Sequence, residues 1–158
     1  SQVALGLILA QNPELLILDD FSLGLDPGYR RLFVDYLRDY ARSENKTVFL
    51  TSHIIQDMER LIDDCIIMDY GSILIQQPIE TLMKGLRKYT CTVPEGYQPQ
   101  LPVTCYHPAV IRQTLETYSF LPPSDVEGLL KENQVPFTGL QHENVGLEDA
   151  FIGLTGKY

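Results

Sequence analysis

Three short apolar runs organise the first half of the chain. They cover residues 15–18, 48–50 and 65–68, and none of them shows a clear alternation of apolar and polar residues. Continuous runs of this kind are typical of strands buried on both faces, which occur in parallel sheets. The three runs are therefore predicted to be strands of a parallel sheet. Residues 70–72, directly after the third run, are expected to form the turn of an antiparallel hairpin.

Helical patterns fill the intervals between the runs. Residues 28–45 carry apolar side chains at helical spacing, namely Leu32, Phe33, Tyr36, Leu37 and Tyr40, with charged side chains on the opposite face. Residues 54–62 show a shorter version of this pattern, and residues 3–10 are expected to end another helix before the break at Pro13. The order strand, helix, strand, helix, strand predicts an α/β fold with right-handed crossover connections.

A change of composition follows Gly85. Seven of the ten prolines lie between residues 94 and 136, and the pattern of buried parallel strands ends. We therefore predict a domain boundary near Leu86. An α/β domain is expected over residues 1–86 and a small α+β domain over residues 87–158.

The second predicted domain has candidate strands at 89–93, 103–106, 110–120 and 137–142, and candidate helices at 124–133 and 147–154. Ser124 is predicted to cap the first of these helices, with Glu127 as its capping-box partner. The apolar residues of the domain, which include Val103, Ile111 and Val126, are enough for a marginal core. Because a core of about 70 residues seldom supplies more than about 3 to 5 kcal/mol, we expect residues 87–158 to associate with a second copy.

Composition and charge exclude several classes of protein. A formal net charge of −9, without a run of Lys and Arg, argues against nucleic-acid binding. Cys65, Cys91 and Cys105 lack the spacing of a zinc site or a disulfide framework. No apolar run approaches the roughly 20 residues of a membrane-spanning helix, and no secretory signal opens the chain. These features favour a cytoplasmic globular protein, and the first residues resemble the interior of a longer chain.

Two adjacent carboxylates end the first apolar run. Asp19 and Asp20 directly follow Leu18, and the carboxyl ends of parallel strands form the ligand-binding edge of such sheets. Carboxylate oxygens suit hard cations such as magnesium. Because adjacent side chains of a strand point in opposite directions, the two acids are expected to do different jobs. By themselves, however, the two acids fit a solvated strand end equally well.

The flanking residues carry a more specific pattern. The segment Ser22-Leu23-Gly24-Leu25-Asp26-Pro27 follows the acids, and the second run is followed by Thr51-Ser52-His53. In this order the segments resemble the second half of an ABC-type transporter ATP-binding subunit, of the exporter-like kind. Residues 1–10 are similar to the helix after the family's signature sequence. Residues 147–156 are similar, more weakly, to the closing helix of exporter-type members.

The resemblance implies a role for each matching residue. Asp19 corresponds to the Walker B aspartate, which holds magnesium, and Asp20 to the catalytic carboxylate, which acts on the attacking water. His53 corresponds to the H-loop histidine, which donates a hydrogen bond to the γ-phosphate. Ser22 and Asp26 lie in the matching D-loop and are expected to bind the nucleotide. The family usually has Glu followed by Pro at positions 20 and 21, so the shorter Asp20 is expected either to slow hydrolysis or to be compensated by the local backbone. Asp20→Glu is expected to raise hydrolysis, or at least not to lower it.

Other motifs of the family are missing. No GxxxxGK[ST] phosphate-binding loop, LSGGQ signature or Q-loop occurs in the 158 residues. The resemblance therefore implies a partial P-loop-type sheet, cut from a longer ATPase subunit just after the signature. That parent subunit is expected to bind ATP and magnesium, to pair with a second ATPase subunit and to dock on a membrane permease at the cytoplasmic face. The chain alone is expected to bind neither ligand and to be inactive.

Two other functions compete with this interpretation. A regulatory or interaction protein derived from an ABC ATPase would also lack the phosphate-binding loop. A phospho-receiver domain also begins with a strand that ends in paired acids, but it needs a further Asp where this chain has Thr51-Ser52-His53. For residues 87–158, regulation, dimer contact and partner docking stay open, as does a packing role without a ligand.

Overall fold

The computed structural model describes residues 2–21, 23–56 and 58–156. Contacts between residues group the chain into two compact units, Ser1–Ile62 and Asp63–Tyr158. The predicted boundary near Leu86 lies inside the second unit and stays a prediction. Among the described residues, no helix is both long and apolar enough to cross a membrane.

The first unit is built on a pair of parallel strands. It contains helix α1 (Gln2–Ala10), strand β1 (Leu15–Leu18), helix α2 (Pro27–Ser43) and strand β2 (Thr47–Leu50). The register runs from Leu15 opposite Thr47 to Leu18 opposite Leu50. The parallel pairing and the connecting helix confirm the α/β class that the sequence predicts.

Strand β1 is buried on one face only. Leu16 and Leu18 are buried, whereas Leu15 and Ile17 are exposed. The prediction of a strand buried on both faces is therefore wrong in this structure. The reason is geometric: successive side chains of a strand alternate between the two faces of a sheet, and only one face is covered here.

The two helical predictions in this unit have different outcomes. Helix α2 forms as predicted, but it buries Val34 and Leu37 and leaves Leu32 and Tyr36 exposed. The prediction of a helix over residues 54–62 is wrong, because the described residues there form only a 3-10 turn at Met58–Arg60. An apolar pattern over only nine residues is too short to nucleate a helix without strong packing.

The second unit is mainly antiparallel. Its elements are β3 (Asp64–Asp69), β4 (Ser72–Pro78), α3 (Ile79–Gly85), β5 (Arg87–Thr92), β6 (Tyr106–Ile111), β7 (Thr114–Ser119), α4 (Pro123–Glu132), β8 (Thr138–Asn144) and α5 (Leu147–Thr155). Strands β3 and β4 form a two-stranded sheet, and the other strands form a four-stranded sheet in the order β6-β7-β5-β8.

The hairpin of β3 and β4 is confirmed. Its turn has positive φ angles at Tyr70 (43°) and Gly71 (79°), as the type I′ hairpin turn requires. The same hairpin corrects the assignment of residues 65–68 to the parallel sheet, because β3 pairs antiparallel with β4. A tight turn after a strand imposes antiparallel pairing, whereas a parallel partner needs a long crossover.

Three details of the carboxy-terminal prediction are wrong. Residues 110–120 are not one strand, because a turn with Arg112 in the left-handed region separates β6 from β7. Val103 is 90% exposed and precedes β6 rather than lying in a strand. The capping box at Ser124 does not form: Pro122 occupies the N-cap position, and the Ser124 hydroxyl donates to Asp125 instead.

The core of the second unit lies between its sheet and α4. It consists of Tyr89, Cys91, Val93, Leu115, Val126, Leu130 and Val135. Val126 belongs to the core as the sequence predicts, whereas Ile111 is exposed. Strands β5 and β8 and helix α5 form where strands 89–93 and 137–142 and helix 147–154 are predicted.

Candidate functional site

The parallel ladder of β1 and β2 continues beyond the two strands. The amide of Thr51 donates to the carbonyl of Leu18 (2.9 Å), and the amide of Asp20 donates to the carbonyl of Thr51 (3.1 Å). This ladder brings the segment 19–20, after β1, beside the segment 51–53, after β2. The acids and the histidine singled out by the sequence therefore share one sheet edge.

Asp19 is held by a threonine hydroxyl. The Oγ1 atom of Thr51 donates to Oδ1 of Asp19 over 2.5 Å. The same Oγ1 accepts from the backbone amide of Asp20 over 3.0 Å. The sequence analysis includes Thr51 only as part of a motif. Thr51 directly follows the strand that pairs with β1, and this position is the signal that could have identified it as a site residue.

Asp20 and His53 form a direct pair. The Nδ1 atom of His53 lies 2.9 Å from both Oδ1 and Oδ2 of Asp20. Carboxylate oxygens accept hydrogen bonds, so the contact is suited to donation from Nδ1 of His53, which leaves Nε2 for another partner. The imidazole is mostly exposed and the carboxylate is one-third exposed, which leaves the pair accessible to a ligand.

The backbone at Asp20 is unusual. Its φ angle is 43°, in the left-handed region that Asp and Asn enter more readily than most residues. A proline at position 21 would restrict position 20 to extended conformations. This chain has Phe21 instead, whose buried ring packs 5.3 Å from the ring of Phe33. The differences from Glu-Pro at positions 20 and 21 therefore belong together. Asp suits the left-handed backbone at position 20, and Phe at position 21 permits that backbone conformation, which Pro would not.

A serine turn fixes the backbone around His53. The hydroxyl of Ser52 accepts from the amide of Ile54 (3.0 Å) and lies 3.2 Å from its carbonyl oxygen, to which it donates. Such side-chain turns are alternatives to helix and strand hydrogen bonding. Ser52 was also not singled out by sequence reasoning as a site residue.

The side chain of Asp26 caps a helix. Its Oδ1 accepts from the amides of Gly28 (3.0 Å) and Tyr29 (3.1 Å), and it is the N-cap of α2. This is the geometry of an Asp cap that satisfies the first free amides of a helix. The structure thus places Asp26 at the start of α2 and does not bring it to Asp19 or Asp20 by hydrogen bonding. Ser22 lies outside the described residues.

The site offers few protein ligands for a metal. The described residues contain no group of three or more His, Cys, Asp or Glu side chains that could hold a metal ion. Asp19 is exposed and its carboxylate has one oxygen engaged by Thr51. A hard ion such as magnesium commonly keeps several waters and takes one or two carboxylates plus phosphate oxygens. Asp19 fits that kind of site as a single carboxylate ligand.

The remaining histidines and the cysteines lie in the second unit. His107 contacts the carbonyl of Leu154 through Nε2 (3.1 Å), and His142 packs near the ring of Tyr89. Cys65, Cys91 and Cys105 are free and buried, and burial raises the pKa of each thiol. A thiol kept neutral by burial is a poor nucleophile, so the chemistry of the described residues concentrates at the end of β1 and β2.

Comparison with known proteins places this site in a family context. The chain matches the family "AAA domain, putative AbiEii toxin, Type IV TA system" over residues 1–56, the part that contains Asp19, Asp20 and His53. It is 32% identical over 160 residues to the Nod factor export ATP-binding protein I of Ralstonia nicotianae, covering 94% of this chain and 49% of that protein.

Other relatives match a smaller part of this chain. An energy-coupling factor transporter ATP-binding protein of Clostridioides difficile is 40% identical over 72 residues, which is 46% of this chain and 25% of that protein. A Staphylococcus aureus counterpart is 36% identical over 87 residues, covering 55% of this chain and 30% of its own length. The chain therefore spans about half the length, or less, of these curated relatives. Its homologues are ATP-binding subunits of ABC transporters, which confirms the resemblance.

Proposed function

We propose that this homologue of ABC transporter ATP-binding subunits supplies the Walker B and H-loop part of an ATP-hydrolysing site. The phosphate-binding loop would come from sequence outside these 158 residues, in a longer protein called the parent subunit below. One observation carries the proposal: Asp20 and His53 are in contact at the carboxyl ends of parallel strands β1 and β2. Ligands of open α/β sheets bind at this edge.

Asp19 is the residue proposed to hold magnesium. Its carboxylate lies at the sheet edge and is oriented by the hydroxyl of Thr51. Magnesium, when bound with ATP, supplies positive charge to the phosphate oxygens. Asp19 would hold the ion directly or through water, since the described residues offer it no complete cage.

Asp20 and His53 are the proposed catalytic pair. Asp20 would orient the attacking water and accept its proton, while the contact with Nδ1 keeps its carboxylate in place. With Nδ1 in contact with Asp20, Nε2 is the ring nitrogen of His53 that remains to contact the γ-phosphate. In this pair, Asp20 would bind the attacking water and His53 would bind the γ-phosphate.

The D-loop residues are proposed to have separate roles. Asp26 shapes the loop by capping α2, so its effect on the nucleotide would be indirect. Ser22 is proposed to contact the nucleotide, as the resemblance implies.

Substitution of Asp20 tests the function directly. In the parent subunit, Asp20→Asn is expected to abolish turnover while ATP binding stays close to that of the unchanged protein, because the amide keeps the shape and removes the charge. Asp39→Asn, at an exposed carboxylate on α2, is the matched control. Equal loss of binding and turnover in D20N would mean that Asp20 is structural.

The parent subunit is proposed to couple ATP hydrolysis to export across a membrane. Support comes from the 32% identical relative, which is named as an export ATP-binding protein. A permease subunit and a second ATPase subunit would be its partners, and its place would be the cytoplasmic face of the membrane. A non-catalytic regulator derived from an ABC ATPase is the alternative, and active wild-type protein with inactive D20N would exclude it.

Residues 87–158 are proposed to form an accessory or regulatory domain that self-associates. The support is the edge of the four-stranded sheet at β8, whose seven residues are almost all exposed. An exposed strand edge carries unpaired backbone groups that pair readily with another strand. A second copy of this chain is the proposed occupant.

A further inference from the structure

The hydroxyl of Thr51 contacts both acids of the site. It donates to Oδ1 of Asp19 and accepts from the amide of Asp20. We propose that Thr51 is a positioning residue for ATP hydrolysis, which sets the carboxylates of Asp19 and Asp20 in one fixed geometry. The inference rests on the proposed function and adds a residue that the family resemblance does not assign.

The side chain of threonine suits this double contact. A hydroxyl has one proton to donate and lone pairs to accept, and both capacities are used here. Because threonine is branched at Cβ, its χ1 angle is restricted, so the hydroxyl is held toward both partners. A hydrogen bond to an ionised carboxylate is also stronger than one between neutral groups, which favours one orientation of the Asp19 side chain.

The second contact acts on the backbone of Asp20. A left-handed residue other than glycine persists only where its surroundings determine it. The amide of Asp20, at a φ of 43°, donates toward both the hydroxyl (3.0 Å) and the carbonyl (3.1 Å) of Thr51. This anchored backbone is what directs the Asp20 carboxylate to Nδ1 of His53. Loss of the hydroxyl is therefore expected to loosen the catalytic pair without removing either of its members.

Two substitutions separate the hydroxyl from the rest of the side chain. Thr51→Val keeps the branched shape and removes the hydroxyl, whereas Thr51→Ser keeps the hydroxyl and removes the methyl group. Thr47→Val, at the exposed first residue of the same strand β2, is the matched control for a change of Thr to Val. A role in packing alone would make T51S at least as harmful as T51V.

The first test is ATP hydrolysis by the parent subunit. We expect T51V to lower kcat by up to about 100-fold, the effect of small errors in positioning, with a smaller change in KM for ATP. T51S should restore most of the rate, and T47V should match the unchanged protein. Should T51V fold poorly by circular dichroism, Thr51→Ala takes its place. Wild-type kcat in the variant without the hydroxyl, or equal losses in T51V and T51S, would overturn the inference.

The second test uses the 158-residue chain and needs no activity. Hydrogen exchange at the Asp20 amide should be faster in T51V than in T51S or the unchanged chain, because one acceptor of that amide is lost. Unchanged exchange would overturn the inference even if the proposed function holds. Conversely, full turnover in D20N would contradict the proposed function, and it would do so whatever the exchange rates show.

Discussion

His53 and Asp20 meet through a forked contact, with Nδ1 of the imidazole 2.9 Å from each oxygen of the carboxylate. Asp20 reaches the imidazole from a left-handed backbone with a φ of 43°. The contact therefore depends on a short acidic side chain on a conformation that Asp tolerates. A longer acid at this position would change the reach and would suit the backbone less well.

We expect Asp20→Glu to lower turnover of the parent subunit rather than raise it. The sequence alone predicts the opposite, because Glu is usual in the family. The structure reverses that expectation: an added methylene moves the carboxylate away from its fork on His53, and an error of about an ångström can cost about 100-fold in rate. Single-turnover hydrolysis measures the effect, with Asp39→Glu on α2 as control. A rate equal to or above that of the unchanged protein would contradict this prediction.

The sequence predicts which residues form the site, but not the angles and hydrogen bonds among them. Asp19, Asp20 and His53 follow strands, and parallel strands bring their carboxyl ends to one edge, so the order of motifs suffices to group them. The left-handed backbone of Asp20 and the two contacts of Thr51 depend on local angles, which no pattern of apolar residues specifies. The role of Asp26 could not be predicted for the same reason, because its hydrogen bonds to the helix amides depend on where α2 begins.

The fold was predictable where patterns were long. Helix α2 and the hairpin turn at Tyr70-Gly71 have strong local signals and form as predicted. Residues 65–68 were misassigned because a short apolar run looks alike in parallel and antiparallel sheets. The capping box at Ser124 failed because proline at position 123 already fits the first turn of a helix.

Calorimetry on the 158-residue chain should detect no binding of Mg-ATP tighter than the millimolar range. The reason is that Asp19, Asp20 and His53 contact the reacting end of the nucleotide, whereas most phosphate-binding energy comes from a glycine-rich loop and its Lys. The parent subunit serves as the positive control. A micromolar dissociation constant for the isolated chain would show that its own residues form a sufficient phosphate site.

The second unit should lose stability as the pH rises above about 8.5, the ordinary pKa of a free thiol. Burial raises the pKa of Cys65, Cys91 and Cys105 in the folded chain. A thiol whose pKa is higher in the folded chain than in the unfolded chain stabilises the folded chain fully below the unfolded-state pKa. This stabilisation is lost as the pH rises through the folded-state pKa. The loss is at most about 1.4 kcal/mol per pH unit for each thiol.

Urea unfolding at pH 7.5 and pH 9.5 measures this loss. The variant with all three cysteines changed to Ala should be less stable at pH 7.5 but should lose less stability between the two pH values. Iodoacetamide should label the thiols far more slowly in the folded chain than in urea. Rapid labelling of the folded chain at pH 7.5 would contradict the assignment of buried, neutral thiols.

The chain should self-associate through strand β8. Both edge strands have a left-handed residue, His107 in β6 and Gly139 in β8, and both have an irregular register with their neighbour. Strand β6 also contains Pro108, which discourages strand addition. Strand β8 has no proline and no Lys or Arg. Antiparallel pairing of two copies about Gln141 would place Glu143 opposite Gly139, so that no like charges meet.

Gln141→Lys tests that pairing, because it would set two Lys side chains opposite each other at the centre of the paired strands, where like charges are destabilising. Sedimentation equilibrium should show dimers of the unchanged chain and weaker association of Q141K. Gln113→Lys, in the turn between β6 and β7, makes the same change of charge away from the edge and should still dimerise. A monomeric unchanged chain at high micromolar concentration would exclude self-association, and equal weakening by both variants would assign it to net charge rather than to β8.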